Sequence, residues 1–197
     1  MANNHYHFKV FKPYGMLSQF VYNQNTRKNK RLLTGLGVFP EGTMSIGRLD
    51  EDSEGLLLLT TCGKTSAVVR SKEIEKEYYV QVDGLITPAA IAALQQGVEI
   101  SIQGSTYTTM PAQVFVLKEV PQFPERAKKV RDDRHGPSSW VSITVTEGKF
   151  RQVRKMTAAV GFPTLRLVRV RIGNETLEGL PSEGIKEVKD FDLSQHF

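Results

Sequence analysis

The sequence predicts an α+β fold with a mixed, mainly antiparallel sheet and a few short helices. Segments in which apolar and polar residues alternate recur from residue 8 to residue 172, as expected of half-buried strands. Only three segments have the pattern of a helix, and each is short. Because so few helices interrupt the strands, a mainly antiparallel sheet is favoured.

Six segments are predicted as strands. The stretch Leu56-Leu57-Leu58-Leu59-Thr60 is a continuous apolar run bounded by Gly55 and acidic residues, which is typical of a short buried strand. Residues 78–83 alternate, so Tyr78, Val80 and Val82 should share one face. The other predicted strands cover residues 8–11, 44–46, 140–146 and 165–172. In the last of these, alternation places Leu165, Leu167, Arg169 and Arg171 opposite Arg166, Val168, Val170 and Ile172.

The helix predicted over residues 88–96 has a signal at both ends. Thr87 is a favourable N-cap, Pro88 suits the first helical position, and Gly97 can end the helix. The other two predicted helices cover residues 64–71 and 152–160. The latter turns Val153, Met156, Thr157 and Val160 towards the core, and Gly161 and Pro163 close it.

Composition narrows the class of protein. A chain of 197 residues can bury a sizeable core as one domain or as two small lobes. The net charge of +5 and the isoelectric point near 9.3 favour a polyanionic partner. Cys62 is the single cysteine, which excludes an intrachain disulfide and fits a reducing compartment. No apolar run is long enough to span a membrane and no secretory segment follows Met1, so we expect a cytoplasmic protein.

The histidines give no sign of a metal centre. His5 and His7 could share a strand face, but no third ligand accompanies them, and His135 and His196 are far away in the sequence. We therefore expect no metal.

Residues 118–139 differ in character from the rest of the chain. This segment has three prolines and a dense mixture of charges, and it can bury little apolar area. We expect a flexible, charged surface loop.

The most informative motif is Gly47-Arg48-Leu49-Asp50, directly before the buried strand. Its polar residues should lie on a loop at the rim of the core, where rigid scaffolds present reactive side chains. An Arg, an Asp and an adjoining acidic cluster indicate chemistry on an anionic substrate. Asp52 and Glu54 also raise the alternative of a two-carboxylate glycosidase, but such close neighbours seldom flank a substrate at the required separation.

Four motifs in a fixed order resemble those of the RNA pseudouridine synthases of the RsuA-like branch. The match runs over nearly the whole chain, and four ordered motifs are far more specific than one. The motifs are Lys9-Val10-Phe11-Lys12-Pro13-Tyr14-Gly15, Gly47-Arg48-Leu49-Asp50 with its leucine run, Glu75-Lys76-Glu77-Tyr78-Tyr79-Val80, and Glu147-Gly148-Lys149-Phe150-Arg151-Gln152-Val153-Arg154.

The resemblance implies the pseudouridine synthase fold, with a catalytic cleft between two lobes of a single domain over residues 1–197. It departs from many members of the branch in that the chain begins at the catalytic strand, without an S4-type RNA-binding module. The segments 137–140 and 161–167 resemble the subgroup that acts on 23S ribosomal RNA. The implied activity is isomerisation of a uridine in that RNA, or in a ribosomal precursor, by a monomer that needs no cofactor.

The resemblance also implies roles for individual residues. Asp50 is the implied essential carboxylate, Arg154 the arginine that pairs with it and lowers its pKa, and Tyr78 the ring that stacks on the extruded base and removes the C5 proton. Arg48 would brace the vacated space, and Leu167 would form an apolar wall under the uracil. Phosphate contacts are expected from Lys128, Lys129 and Arg131 in the charged loop, and from the cluster Arg27, Lys28, Lys30 and Arg31.

Other functions stay open at this point. A synthase acting on 16S ribosomal RNA or transfer RNA would carry the same motifs. A non-catalytic RNA-binding protein would share the basic charge but would not need Asp50, Tyr78 and Arg154 together. A nuclease would need metal-binding carboxylates or a histidine pair, and the positions of the histidines offer no such pair.

Overall fold

The computed structural model describes residues 5–22, 29–131 and 133–193. Within them lie eleven strands and three α-helices. In chain order these are β1 (His7–Lys12), β2 (Met44–Ser45), β3 (Glu54–Thr60), α1 (Gly63–Val69), β4 (Lys76–Asp83), α2 (Pro88–Gln96), β5 (Glu99–Ile102), β6 (Ser105–Thr108), β7 (Gln113–Val116), β8 (Ser138–Val145), α3 (Gln152–Ala159), β9 (Thr164–Ile172), β10 (Glu175–Thr176) and β11 (Ile185–Val188).

One nine-stranded sheet organises the molecule. Its strands run in the order β11-β1-β3-β9-β4-β8-β7, and β2 and β10 pair with β3 and β9. Every pairing is antiparallel except that of β3 with β9, which is parallel and joins the two halves of the sheet. The expected α+β fold with a mixed, mainly antiparallel sheet is therefore confirmed.

Each half of the sheet carries its own core. In the first half, β3 is buried on both faces, because Leu57 and Leu59 pack into one apolar cluster and Leu56 and Leu58 into another. This double burial explains why the strand is continuously apolar. In the second half, β4, β7 and β8 form a larger cluster with α2, α3 and the β5–β6 hairpin. The two halves are the two lobes that the resemblance implied.

The three helices agree with the sequence prediction to within two residues at each end. Helix α2 begins where Thr87 accepts a hydrogen bond from the Ala90 amide at 3.2 Å, and it ends at Gly97, whose φ is 97°. A Cβ at Gly97 would lie 2.3 Å from the Thr109 carbonyl oxygen, so this position requires glycine. In α3, Val153, Met156 and Thr157 are buried as predicted, and Val160 is partly buried.

The alternation predicted for β9 is interrupted twice, because its register against β4 shifts between Gln81 and Val82 and again between Glu77 and Tyr78. Tyr78 of β4 pairs with Arg169 but its neighbour Glu77 pairs with Arg171, so Val170 is an extra residue in a β-bulge. The bulge turns Arg171 to the opposite face, where it donates hydrogen bonds to Glu75 at 3.0 Å and Glu77 at 2.9 Å. Arg169 and Leu167 remain on the same face as Tyr78.

The charged loop is anchored to the sheet at several points. Phe123 packs near Tyr79 and Trp140, with ring centroids 6.3 and 5.8 Å apart, and the Arg126 guanidinium lies 4.7 Å from the centre of the Tyr14 ring. In the described part of the loop, the regular structure before β8 is one 3-10 turn, Asp133–His135. That the loop moves stays a prediction.

Candidate active site

A cleft of about 800 Å³ lies between the two lobes. The first lobe lines it with the loop that carries Arg48 and Asp50, and the second lobe with Tyr78, Arg154 and Leu167. Residues from three motifs that are far apart in the chain, and Leu167 of β9, therefore meet in one concave site. The expected position of the cleft is confirmed.

The loop that carries Asp50 is held by the turn after β1. Ser18 Oγ donates to the Leu49 carbonyl at 2.8 Å and accepts from the Leu49 amide at 3.0 Å. The Gly15 amide donates to the Glu51 carbonyl at 2.8 Å, and within the loop the Ser53 amide donates to the Asp50 carbonyl at 3.0 Å. These bonds fix the backbone on both sides of Asp50, which is the preorganisation that a reacting side chain needs.

Beneath this loop lies Lys12, whose side chain is fully buried. Its Nζ donates to the carbonyls of Pro13 at 3.0 Å and Met16 at 2.8 Å. Burial lowers the pKa of Lys12 to about 7, against the opposing effect of Glu54, Asp52 and Asp50. Lys12 thus stabilises the turn after β1 by donating hydrogen bonds to two of its carbonyls.

The cationic partner nearest to Asp50 is Arg151. Arg151 has a φ of 52°, a left-handed conformation that few non-glycine residues adopt, and it immediately precedes α3. Its guanidinium donates to both carboxylate oxygens of Asp52, at 3.0 and 2.9 Å, and lies 3.4 Å from Asp50 Oδ2. Such a bidentate pair fixes both partners in orientation.

Arg154 contacts the same loop, but through the backbone. Its Nη2 donates to the Asp52 carbonyl at 2.7 Å and to Ser53 Oγ at 3.2 Å, and it lies 3.6 Å from Asp52 Oδ1. The direct ion pair expected between Arg154 and Asp50 is therefore wrong for this structure: Arg151, the residue before α3, lies beside Asp50, and Arg154, in the first turn of the helix, contacts Asp52.

The electrostatic balance at Asp50 also differs from the expectation. Burial raises the pKa of Asp50, Asp52 adds to the increase, and Arg151, Arg154 and Lys12 oppose it without cancelling it. The net direction is upward, so the expectation of a lowered pKa is wrong. At Asp52, burial is outweighed by the hydrogen bonds from Arg151 and the charges of Arg154 and Arg151, and the pKa lies below its ordinary value.

A buried carboxylate sets the start of α3. Glu147 is 4 % exposed and accepts hydrogen bonds from Gln152 Nε2 at 2.7 Å, from the Met110 amide at 2.8 Å and from the Tyr107 hydroxyl. Gln152 in turn accepts from the Lys149 amide at 2.9 Å. This network holds the segment before α3 against the β5–β6 hairpin, and so fixes the backbone from which Arg151 projects.

Tyr78 and Leu167 form the floor of the cleft. Tyr78 is partly buried, and Leu167 is 5 % exposed and belongs to the core of the second lobe. In the register of β4 and β9, Val80 pairs with Leu167 and Tyr78 pairs with Arg169, so all four lie on neighbouring strands. An aromatic ring beside an apolar wall is a suitable surface for a flat base.

The predicted phosphate contacts fall into two groups. Lys128 and Lys129 are exposed on the charged loop, and Arg48, which was predicted to brace the vacated space and not to bind phosphate, is exposed at the cleft. Arg131 is instead engaged with the Asp83 carboxylate and the His135 carbonyl. Of the basic cluster near residue 30, Lys30 pairs with Glu51 at 2.8 Å and Arg31 with Glu183 at 2.7 Å, whereas Arg27 and Lys28 lie outside the described residues.

Within the described residues, no group of three or more His, Cys, Asp or Glu side chains is arranged to hold a metal ion. Among the same residues, no helix combines the length and the apolar character that crossing a membrane requires.

Sequence reasoning did not single out Arg151, Lys12, Ser18, Lys76 or Arg169, although all of them support or line the site. Arg151 and Lys76 lie inside quoted motifs, so their proximity to Asp50 or Tyr78 in those motifs was a usable signal. Ser18 gave no such signal, because its hydrogen bonds to Leu49 span 31 residues of sequence.

Comparison with known proteins agrees with this geometry. Residues 6–159 match the family model described as RNA pseudouridylate synthase. The chain belongs to this family. The matched range contains all four motifs, so the family expected from them is confirmed, and the protein is an enzyme that isomerises uridine in RNA to pseudouridine.

Individual relatives of the synthase match over most of its length. The "Ribosomal large subunit pseudouridine synthase E" of Xanthomonas axonopodis pv. citri (strain 306) is 44% identical over 172 residues, which cover 86% of each chain. The protein of the same name from Vibrio vulnificus (strain CMCP6) is 40% identical over 179 residues, covering 90% of this chain and 72% of its own. A crystal structure described as pseudouridylate synthase has a TM-score of 0.73 and 27% identity, over 93% of this chain and 70% of that chain.

Proposed function

We propose that the synthase converts a specific uridine of the large ribosomal subunit, in 23S ribosomal RNA, to pseudouridine. The observation that carries the proposal is the meeting of the Asp50 loop with Tyr78 and Leu167 across one cleft. The choice of RNA is supported by the relatives named for the ribosomal large subunit, which are 40–44% identical over 86–90% of the chain.

In this proposal the reaction begins at Asp50. Pseudouridine formation breaks the C1′–N1 bond, turns the uracil and rejoins it through C5, with no change in oxidation state. Asp50 acts on the sugar, as nucleophile at C1′ or as base at C2′, and it must be ionised to do either. Arg151 stabilises the ionised form, because its guanidinium lies 3.4 Å from Asp50 Oδ2. Arg154 donates a hydrogen bond to the Asp52 carbonyl and so holds the backbone that follows Asp50.

The base is handled by the second lobe. A uridine in folded RNA has to leave its stack before the sugar can reach Asp50, and we assign the extruded base to the face of Tyr78, with Leu167 as the apolar wall. The Tyr78 hydroxyl then takes the C5 proton once C5 is joined to C1′. Arg48, exposed at the rim of the cleft, braces the RNA where the base has left.

The proposed target is tested by mapping pseudouridines in the RNA of cells that lack the protein. One position of 23S ribosomal RNA should lose its pseudouridine, and re-expression of the wild type, but not of Asp50→Asn, should restore it. Loss of a position in 16S ribosomal RNA or transfer RNA instead would favour the alternative substrates. An unchanged map would contradict the proposal.

Phosphate contacts should make RNA binding dependent on salt. Since Lys128 and Lys129 are exposed on the charged loop, Lys128→Ala combined with Lys129→Ala should reduce the slope of log affinity against log salt by about 1.4 to 1.8. Affinity can be measured by fluorescence anisotropy with a labelled RNA stem-loop at several salt concentrations.

Arg131→Ala is a matched comparison, because Arg131 lies in the same loop but is engaged by Asp83. We expect Arg131→Ala to change the slope of log affinity against log salt by less than replacement of either Lys128 or Lys129 does. A slope that both lysine substitutions leave unchanged would show that the loop faces away from the RNA.

A further inference from the structure

Among the described cations that line the cleft and are buried or partly buried, Arg169 and Lys76 have no carboxylate partner. Arg169 is 5 % exposed; its Nε donates to the Leu56 carbonyl at 2.8 Å, and its Nη2 is buried with no hydrogen-bond partner. Lys76 Nζ donates to the carbonyls of Ser71 at 3.1 Å and Thr146 at 3.2 Å. Among the described residues, no carboxylate oxygen lies within 4.0 Å of either cation.

Both cations flank Tyr78. Arg169 is its direct partner across β4 and β9, and side chains so paired have Cβ atoms about 4.5–5.5 Å apart. Lys76 lies two residues before Tyr78 on β4, on the same face of the strand. Gly55 lets β3 approach the backbone of Arg169 closely, because any Cβ at Gly55 would lie 2.3 Å from the Arg169 carbonyl oxygen.

Burying Arg169 and Lys76 without a counter-charge costs free energy of folding when no ligand is bound. Burial, together with the nearby charge of Arg169, lowers the pKa of Lys76 to about 8. Other partly buried arginines of the sheet are neutralised: Arg166 donates to Glu54 at 2.8 and 3.0 Å, and Arg171 donates to Glu75 and Glu77. A buried cation with an unused donor is most readily explained by an anionic group that binds there.

We propose that Arg169 and Lys76 form an anion subsite that stabilises the uracil base while it is detached from the ribose. The inference rests on the proposed function and adds a role to the same cleft. When the C1′–N1 bond breaks, both bonding electrons leave with N1, and the negative charge spreads onto O2 and O4 of the ring. Bond formation from C5 to C1′ consumes this charge; C5 then loses its proton and N1 gains one, so the reaction needs no oxidant or reductant.

The position of the subsite favours the base over a backbone phosphate. Arg169 and Lys76 flank Tyr78, the ring to which we assign the base, whereas exposed cations such as Arg48 and Lys128 lie where a polynucleotide backbone can pass. A guanidinium directed at carbonyl oxygens of a developing anion stabilises the transition state more than the bound uridine.

The test compares two substrates of different leaving ability. The fluorine of 5-fluorouridine withdraws charge from the ring, so the base leaves more easily and depends less on outside stabilisation. Arg169→Met, Arg169→Lys, Lys76→Met and the exposed control Lys72→Met would be assayed in single turnover with uridine RNA and 5-fluorouridine RNA, following loss of the original nucleoside by chromatography and mass spectrometry.

With uridine, Arg169→Met should slow cleavage about 10- to 100-fold, and Arg169→Lys less, while Lys72→Met keeps the wild-type rate. The loss should be at least threefold smaller with 5-fluorouridine for both Arg169→Met and Lys76→Met. RNA affinity, measured in an Asp50→Asn background, should change less than threefold. Should Arg169→Met fail to fold, as its melting curve would show, Lys76→Met alone decides, because Lys76 is less buried.

Equal losses on both substrates, or none, would overturn the proposal. A weakened affinity with a flatter salt slope would also overturn it and would identify the subsite as a phosphate contact. These results are distinguishable from failure of the proposed function, in which the wild-type protein itself would leave uridine in 23S ribosomal RNA unconverted.

Discussion

Asp50→Asn should abolish pseudouridine formation while the protein stays folded and still binds RNA. The substitution preserves the volume of the side chain and removes the charge that acts on the sugar, so we expect turnover to fall by at least about 10³-fold. Turnover would be measured by nucleoside analysis of RNA treated with protein that is free of host synthases. Asp190→Asn, at a carboxylate whose side chain is 81% exposed, is the control and should retain wild-type turnover.

The same variant should be at least as stable as the wild type at neutral pH. The pKa of Asp50 is higher in the folded protein than in the unfolded chain, so the folded state binds more protons between those two values. Stability contributed by this group therefore falls as pH rises through that window, and the ionised carboxylate is unfavourable for folding at pH 7. A melting temperature of Asp50→Asn below that of the wild type would contradict this.

Much of the fold could be predicted because its signals are local. Alternation in residues 78–83, the apolar run of β3 and the end signals of α2 each depend on residues a few positions apart. The β5–β6 hairpin has a local pattern too: apolar and polar residues alternate on either side of Gln103-Gly104, a two-residue turn in which both residues have positive φ.

The parts that could not be predicted depend on contacts between distant segments. The bulge at Val170 arises from the register of β9 against β4, and the left-handed conformation of Arg151 depends on the network around the buried Glu147. Neither has a pattern in its own neighbourhood. The sequence could place Arg154 near the cleft and the start of α3 at Gln152, but it could not show that the left-handed backbone of Arg151 places that side chain beside Asp50.

Both arginines nevertheless act on one loop. Arg151 binds the carboxylates of Asp50 and Asp52 from the side, and Arg154 binds the Asp52 backbone. The loop is thus held by charge from the second lobe and by the hydrogen bonds of Ser18 from the first. Because both lobes contact the loop, the position of Asp50 depends on how the lobes are packed, which no single motif encodes.

Tyr78→Phe should separate bond cleavage from completion of the reaction. Phenylalanine keeps the ring that stacks on the base but lacks the hydroxyl to which we assign removal of the C5 proton. Ordinary uridine should therefore not be completed to pseudouridine, with a loss of about 10²- to 10⁴-fold. 5-Fluorouridine has no C5 proton, so the variant should still cleave and rearrange it at close to the wild-type rate. Both would be followed by mass spectrometry of digested RNA in single turnover.

Tyr79→Phe provides a matched control, because Tyr79 is the next residue of β4 and its ring packs beside Phe123 on the opposite face of the sheet. It should leave both substrates unaffected. Equal loss on uridine and 5-fluorouridine in Tyr78→Phe would assign Tyr78 to packing or to an earlier step. Full activity on uridine would remove the proton-transfer role and leave stacking as the contribution of the ring, in which case Tyr78→Leu, but not Tyr78→Phe, should lose activity on both substrates.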